Sequence, residues 1–117
     1  MPETTETTTL QDIIARLPEL PNEDDEGEEI DHMIFAAKTG GTWQPDSLAA
    51  IIPFRLDAEE YPTAPEGMTY FPEASIAEEV IEAYKAHAGT RYPSLEEQTT
   101  AVIYYATYDA YLPVKRP

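Results

Sequence analysis

Cysteine is absent from this chain of 117 residues, and basic residues are few. Without cysteine, the chain forms no disulfide and offers no thiolate ligand for zinc or an iron–sulfur cluster. Seven lysines and arginines stand against 23 acidic residues, which gives a formal charge of −16 and a pI near 4.1. Nucleic acids are bound by basic surfaces that release counterions, so we expect no direct nucleic-acid binding. The same deficit argues against binding to an anionic membrane.

Long hydrophobic stretches are also missing. Uninterrupted apolar runs are short, with five residues at 33–37 and six at 101–106 when tyrosine is counted, whereas a membrane-spanning helix needs about 20. The first residues lack the basic start and apolar stretch of a secretory signal. We therefore expect no membrane contact and a cytoplasmic location, which for a viral protein means the host cytoplasm or the virion.

The acidic residues that are present concentrate near the N-terminus. Residues 1–31 hold eleven acids and one base, a net charge of −10, while residues 32–117 hold twelve acids and six bases, a net charge of −6. This asymmetry predicts two parts. Residues 1–29 are expected to form an acidic, partly mobile N-terminal arm with one short helix, and residues 30–117 a single helical domain.

Hydrophobic residues recur at helical intervals in the first third of the chain. Thr9 is predicted to cap a first helix that Pro18 ends. An acidic linker follows, and a second helix is predicted over 28–38, with the two glycines at 40–41 as its left-handed C-cap. A strand over 33–37 is the rival interpretation, because short apolar runs fit both structures.

The middle of the chain is rich in proline. Asp46 is predicted to cap a short helix over 47–52 that Pro53 ends. Residues 53–73 then hold four prolines and four aromatic residues, a composition that favours an ordered loop with one short strand at 68–71.

The last third carries two capping boxes, Ser75 with Glu78 and Ser94 with Glu97. They predict two helices in an antiparallel hairpin, the second running from Leu95 to about residue 112. The sequence therefore predicts a mainly α fold, a small domain of four to five helices with this C-terminal hairpin and an aromatic, proline-rich loop. The alternative is an α+β fold with one or two short strands.

No constellation of residues points to catalysis or to a metal. An EF-hand loop with Gly27 at its sixth position needs a bidentate glutamate at its twelfth, where the chain has Met33. Glu29 and His32 form only half of the motif of a di-iron bundle. His87 is expected to pack on its helix, and two histidines with three serines make no specific triad. We expect no enzymatic activity, catalytic residue, metal or cofactor.

Two groups of side chains are candidates for contact with a protein partner. The first is the acidic run after residue 22, and the second is a set of tyrosines on the last helix, a residue type in which interfaces are rich. One helix cannot turn four tyrosines inward, so at least one is expected at the surface or in an interface. Such an interface can also form between the last helices of two copies of the chain. The predicted partner-binding residues are Glu23, Asp24, Asp25, Glu26, Glu28, Glu29, Tyr104, Tyr105, Tyr108 and Tyr111.

Dense carboxylates on a folded protein can occupy a site built for the phosphates of DNA or RNA, and opposite charge makes such binding fast. The sequence therefore predicts a non-enzymatic, acidic protein-binding module, of the kind that phages use as inhibitors and nucleic-acid mimics. One alternative is a small structural or assembly subunit, such as a virion component or a chaperone. Another is an ordinary domain adapted to high salt, which the clustering of the acids disfavours.

Overall fold

A computed structural model describes residues 7–57, 59–88 and 93–108 of the chain. Over these residues the fold is α+β, with one antiparallel sheet of four strands and three α-helices. The elements in chain order are β1 (Thr7–Thr9), α1 (Leu10–Arg16) with a 3-10 turn at Leu17–Glu19, β2 (Ile30–Ala36), β3 (Leu48–Arg55), β4 (Thr69–Phe71), α2 (Ala74–Ala88) and α3 (Leu95–Tyr108). The prediction of a mainly helical domain of four to five helices is wrong, and the α+β alternative allowed too few strands.

The central feature of the sheet is a hairpin of β2 and β3, to which the short strands β1 and β4 add at the two edges in the order β1-β3-β2-β4. The connection between β2 and β3, residues 37–47, contains a tight turn closed by the bridge between Thr39 and Thr42. Gly40 and Gly41 have φ angles of 62° and 85°, as a tight hairpin turn requires at both central positions. These glycines therefore turn a hairpin and do not cap a helix.

The predicted helix over 28–38 is a strand because both of its faces are buried. Ile34 and Ala36 face the helices, while Met33 and Phe35 belong to a second hydrophobic cluster on the opposite face of the sheet. A strand covered on both faces carries a continuous apolar run without alternation, and such a run also fits a helical stripe. The rival interpretation of a strand at 33–37 was the better one.

The predicted helix over 47–52 is also wrong, since these residues belong to β3. Pro53 lies inside this strand, opposite His32. β1 as described (residues 7–9) pairs with Leu48, Ala49 and Ala50, so within the described residues β3 has a single neighbour at Pro53, a position where a proline is tolerated. Apolar residues fill both faces of β3 as they fill those of β2.

The helix ends follow the predicted caps in two of three cases. The Thr9 hydroxyl accepts a hydrogen bond from the Asp12 N–H at 3.1 Å, which starts α1. Ser94 and Glu97 form the reciprocal bonds of a capping box at the start of α3, both at 3.1 Å. The box predicted for Ser75 with Glu78 is wrong, because α2 already begins at Ala74. The predicted end of the last helix near residue 112 lies outside the described residues.

The main hydrophobic core lies between the sheet and the three helices. It combines the stripe of α1 with residues of β2, β4, α2 and α3, and Phe71 of β4 is fully buried at its centre. The Trp43 ring meets the Phe71 ring edge-on at 5.1 Å, and its indole N–H donates to the Ala36 carbonyl at 3.3 Å. The predicted short strand at 68–71 is present as β4, one residue shorter.

The opposite face of the sheet carries the second cluster, of Met33, Phe35, Ala50 and Met68. Met68 comes from the proline-rich segment between β3 and β4, and Tyr61 of the same segment places its ring edge-on against Phe54 at 5.4 Å. This segment therefore returns across the sheet. The division of the chain into an arm and a domain at residue 29 stays a prediction, although α1 contributes fully buried side chains to the main core.

Candidate functional site

The acidic run forms a compact turn, here called the acidic loop (residues 22–29). The Asp24 Oδ1 atom accepts hydrogen bonds from the main-chain N–H groups of Glu26 and Glu28, both at 2.9 Å. The Asp24 N–H in turn donates to the Glu28 carbonyl at 2.9 Å, and Ile30 N–H donates to the carbonyl of Asn22 at 3.0 Å. Aspartate is suited to this task because its short side chain reaches the N–H groups that follow it.

A single arginine fastens the acidic loop to the sheet. The Arg55 Nε atom lies 2.8 Å from Asp24 Oδ2, and its Nη2 atom lies 3.0 Å from Glu26 Oε2. Hydrogen bonds from the main-chain N–H of Glu28, from the guanidinium of Arg55 and from the main-chain N–H of Glu26 hold the pKa of Asp24 below its usual range. Exposed ion pairs contribute little to stability, so the effect of these contacts is to fix the orientation of the loop.

Four carboxylates of the loop remain without a cation. Among the residues that the structure describes, Glu23, Asp25, Glu28 and Glu29 make no ion pair, and all four are exposed. The next turn adds further acids, at positions 57, 59 and 60. It begins beside the loop, because the N–H of Leu56 donates to the Glu29 carbonyl at 3.2 Å. One end of the sheet therefore presents acidic side chains from two turns.

Exposed apolar side chains lie in the same region. Leu56 is 51% exposed and Tyr61 is 62% exposed. Large hydrophobic residues surrounded by carboxylates are typical of contact surfaces between proteins, where the apolar groups are buried on binding and the charges select the partner.

Next to the acidic loop lies a small pocket of about 200 Å³, here called the His32 pocket. Its lining combines apolar side chains with polar groups from β2 and α2: Leu20, Pro21, Asn22, Ile30, Asp31, His32, Leu56, Ala74, Ser75 and Glu78. A second, shallower depression shares Pro21, Ile30 and His32 with it and reaches Asp25 and Arg55 of the acidic end. The pocket and the loop are thus parts of one surface.

Asp31 joins the pocket to α2. Its carboxylate accepts hydrogen bonds from both the N–H and the hydroxyl of Ser75, and from the main-chain N–H of His32 at 2.7 Å. The Ser75 N–H is one of the free N–H groups of the first turn of α2. The acid that caps this helix therefore comes from β2, far away in sequence, and Ser75 is the group that is capped.

His32 is 7% exposed, and its imidazole has no hydrogen-bond partner among the described residues. Burial lowers the pKa of this histidine, and the charge of Asp31 opposes that shift in part. Glu78 faces the same pocket, and its pKa is raised by loss of water around the carboxylate and by repulsion from Asp31 and Glu82.

The burial of His32 predicts a pH-dependent stability. The imidazole binds its proton more weakly in the folded protein than in the unfolded chain, so the free energy of unfolding falls as pH drops below about 6.5. We expect a His32→Gln variant to lose this dependence, which amounts to at most about 1.4 kcal/mol per pH unit. Urea unfolding between pH 7.5 and 5.5 measures the difference. Equal slopes for wild type and His32→Gln would contradict the assignment.

Three of the four predicted tyrosines lie on α3, which packs on α1 and α2. Tyr105 packs partly buried against the main core. Tyr104 and Tyr108 contact each other with ring centroids 4.6 Å apart, and Tyr108 is 64% exposed. Tyr111 lies outside the described residues. No described contact joins Tyr104 or Tyr108 to the acidic loop, so the two groups of predicted contacts are held by different elements, and their role in binding stays a prediction.

The acids and histidine of this end do not form a metal or triad geometry. Within the described residues, no group of three or more histidine, aspartate or glutamate side chains converges as a metal site. Both oxygens of Asp24 are already bonded to protein donors. Asp31 accepts from the main chain of His32 and not from its imidazole. Residues three apart on an extended chain face opposite sides, so Glu29 and His32 do not share a ligand site.

The sequence analysis missed three roles: Arg55 as the partner of the acidic loop, Asp31 as the cap of α2, and His32 as part of the pocket. One signal in the sequence could have indicated them. Two glycines between β-rich runs are a hairpin signal, and folding the chain back near 40–41 lays residues 48–55 against residues 30–36. In the structure this pairing places Arg55 opposite Ile30, one residue from the acidic run. The hairpin signal was instead interpreted as the end of a helix.

Comparison with protein families, with curated proteins and with solved structures found no match to this chain. Among the described residues, none of the helices has the length and apolar character needed to cross a membrane.

Proposed function

We propose that this protein is a non-enzymatic binding module whose acidic end occupies a basic surface of a partner protein, such as the nucleic-acid site of a DNA- or RNA-binding protein. The observation that carries the proposal is the acidic loop, in which Asp24 and Arg55 fix the backbone while Glu23, Asp25, Glu28 and Glu29 point their charges at solvent. A rigid array of carboxylates loses little entropy on binding. The compartment that such a partner implies is the cytoplasm, of a host cell if the protein is viral.

The loop also contains a repulsive pair that folding alone does not explain. Glu23 and Glu29 pair directly across the bridge that closes the loop. Like charges in such opposite positions are destabilising, by roughly 0.2–1 kcal/mol on the scale of cross-strand pairs. A basic partner between the two carboxylates would convert this cost into attraction, which supports a binding role for the loop.

A second candidate function is assembly through α3. Tyr108 exposes most of its ring beside Tyr104, and tyrosines of this kind are common in permanent interfaces. In this alternative the protein is a structural or assembly subunit. The concentration dependence of its mass in solution, with and without a Tyr108→Ser substitution, distinguishes self-assembly from the proposed binding.

The test of the proposed function uses competition with DNA. Proteins from a bacterial lysate are retained on DNA–cellulose, and the wild-type chain is expected to elute a subset of them at a concentration at which polyglutamate of equal charge elutes none. Reversal of three exposed loop charges, in a Glu23→Lys, Asp25→Lys, Glu28→Lys variant, is expected to raise the concentration needed by at least about tenfold at roughly 0.1 M salt, because the local charge changes sign. Asp24 stays in place, so that the loop keeps its shape.

The matched control reverses three exposed acids of the helices, in a Glu79→Lys, Glu82→Lys, Glu96→Lys variant with the same net charge. This control is expected to elute the proteins within about threefold of wild type, since long-range steering is screened within roughly 10 Å at 0.1 M salt. An equal loss of eluting activity in both variants would mean that the net charge of the protein, and not the acidic loop, determines the competition with DNA. Elution by polyglutamate as effective as by the wild-type chain would overturn the proposal.

A further inference from the structure

The His32 pocket has the composition of a receptor for a long, positively charged side chain. Leu20, Pro21 and Leu56 supply apolar lining, and Asp31 and Glu78 supply carboxylates. Its volume of about 200 Å³ is well above the roughly 10–15 Å³ that one water needs by this measure. Lysine and arginine side chains need this combination, because their methylene stems favour apolar walls while their charged ends favour carboxylates.

His32 is the observation that distinguishes this pocket from a mere group of acids. The residue shares the helix-covered face of the sheet with Ile34 and Ala36, since alternate residues of a strand point the same way. Its ring therefore projects toward the start of α2, where the pocket lies. The residue is 7% exposed, and its imidazole has no hydrogen-bond partner among the described residues. No buried polar side-chain atom of the described residues lacks a partner, so the unbonded ring nitrogens reach the solvent of the pocket and are open to a ligand.

The two carboxylates have capacity left for a cation. Asp31 accepts three hydrogen bonds from protein donors, while a carboxylate offers about four acceptor positions. Glu78 makes no hydrogen bond or ion pair within the described part of the chain. Burial raises its pKa, and repulsion from Asp31 and Glu82 adds to that shift. A bound ammonium or guanidinium group would supply the missing positive charge.

From this arrangement we propose that the His32 pocket binds one lysine or arginine side chain of the partner, with the stem along Leu56 and the charged end between Asp31 and Glu78. The inference deepens the proposed function, on which it rests for the identity of the donor as a basic protein. The acidic loop then attracts the partner, and the pocket selects the position of one basic residue on it. Leu56, 51% exposed in the free protein, is covered by the stem.

The test uses small probes, so that it does not depend on finding the partner. The imidazole C–H resonances of His32 are followed by NMR and told apart from those of His87 with the His87→Gln variant. N-acetyl-lysine amide, N-acetyl-arginine amide and N-acetyl-norleucine amide are added at constant ionic strength and pH. We expect saturable shifts with at least one of the two cationic probes and none with norleucine, which has a similar apolar stem but no charge.

Substitutions then assign the charge that binds. Glu78→Gln is expected to lower the affinity for the cationic probe about fivefold, which is the scale of one exposed charge-assisted contact. Glu79→Gln, the neighbouring exposed acid that does not line the pocket, should change the affinity less than twofold. Equal shifts with norleucine would show an apolar cleft, and no shift with any probe would show no site; either result overturns the inference.

The failure of this inference differs from failure of the proposed function. If the pocket binds no cation, but the loop variant still elutes DNA-bound proteins less effectively than wild type, the protein binds its partner without the pocket. If the pocket binds the probes, but the loop variant elutes DNA-bound proteins as effectively as wild type, the pocket recognises basic side chains and the proposed competition for nucleic-acid sites is wrong.

Discussion

Replacement of Phe71 by alanine is expected to remove a large part of the stability of the fold. The side chain is fully buried in the main core, lies opposite Ile34 and meets the Trp43 ring edge-on. Truncation of a buried phenylalanine costs about 3–5 kcal/mol, and domains of this size have a total stability of only about 5–15 kcal/mol. Phe71→Ala should therefore unfold at a much lower urea concentration than wild type, as measured by far-UV circular dichroism and by the fluorescence of the single tryptophan.

The neighbouring residue of the same strand is the control for this effect. Tyr70 points to the other side of the sheet and is 49% exposed, with its hydroxyl donating to Glu73 at 2.7 Å. Tyr70→Ala should cost less than about 1 kcal/mol, as is usual for surface substitutions. Because the faces of a strand alternate, a shift of register by one residue would exchange the two results. A larger loss for Tyr70→Ala than for Phe71→Ala would therefore show that β4 pairs in another register.

The second large effect is expected at Asp31. Its carboxylate holds the start of α2 against β2 through the N–H and hydroxyl of Ser75. Loss of a helix cap costs about 1 kcal/mol, and the bonds of a charged acceptor add to that cost. We expect Asp31→Ala to lower the free energy of unfolding by about 2 kcal/mol, measured by urea unfolding at pH 7.

Two variants test whether the cap causes this loss. Asp31→Asn keeps one acceptor oxygen and should lose about half as much as Asp31→Ala. Asp46, which the sequence analysis assigned as the cap of a helix over 47–52, is exposed before β3, and Asp46→Ala should change stability by less than about 0.5 kcal/mol. If Asp31→Asn is as destabilised as Asp31→Ala, the negative charge and not the hydrogen bonds holds the helix.

The parts of the fold that could be predicted from the sequence are those fixed by neighbours in the chain. The cap at Thr9 and the box of Ser94 with Glu97 involve residues three apart, and the structure confirms both. The strand at 69–71 was recognised from its position between prolines and aromatic residues. For the two caps the deciding interaction is local, so that propensity and spacing were sufficient, whereas β4 pairs with the distant residues 34–36 and only its presence, not its partner, was predicted.

The errors arise where tertiary contacts decide. The run at 30–36 fits a helix and a buried strand alike, and only its pairing with β3 and its burial on both faces select the strand. Ser75 carries the signature of a cap, but its donors are satisfied by Asp31, 44 residues earlier. At the candidate site, the acidic run was visible from composition, while the clamp by Arg55 and the pocket at His32 depend on the hairpin that was missed.

The strand order also sets the sequence in which the sheet can form. Only β2 and β3 are joined by a short connection, whereas β1 pairs with residues 48–50 and β4 pairs with residues 34–36. Closing a longer loop costs more entropy, so the central hairpin is expected to form first and the edge strands to add later. During synthesis, β1 and α1 leave the ribosome about 40 residues before their partner strand (residue 7 pairs with residue 50). The apolar stripe of α1 is exposed for that interval, while the acidic residues that follow it in the chain oppose premature association between nascent chains.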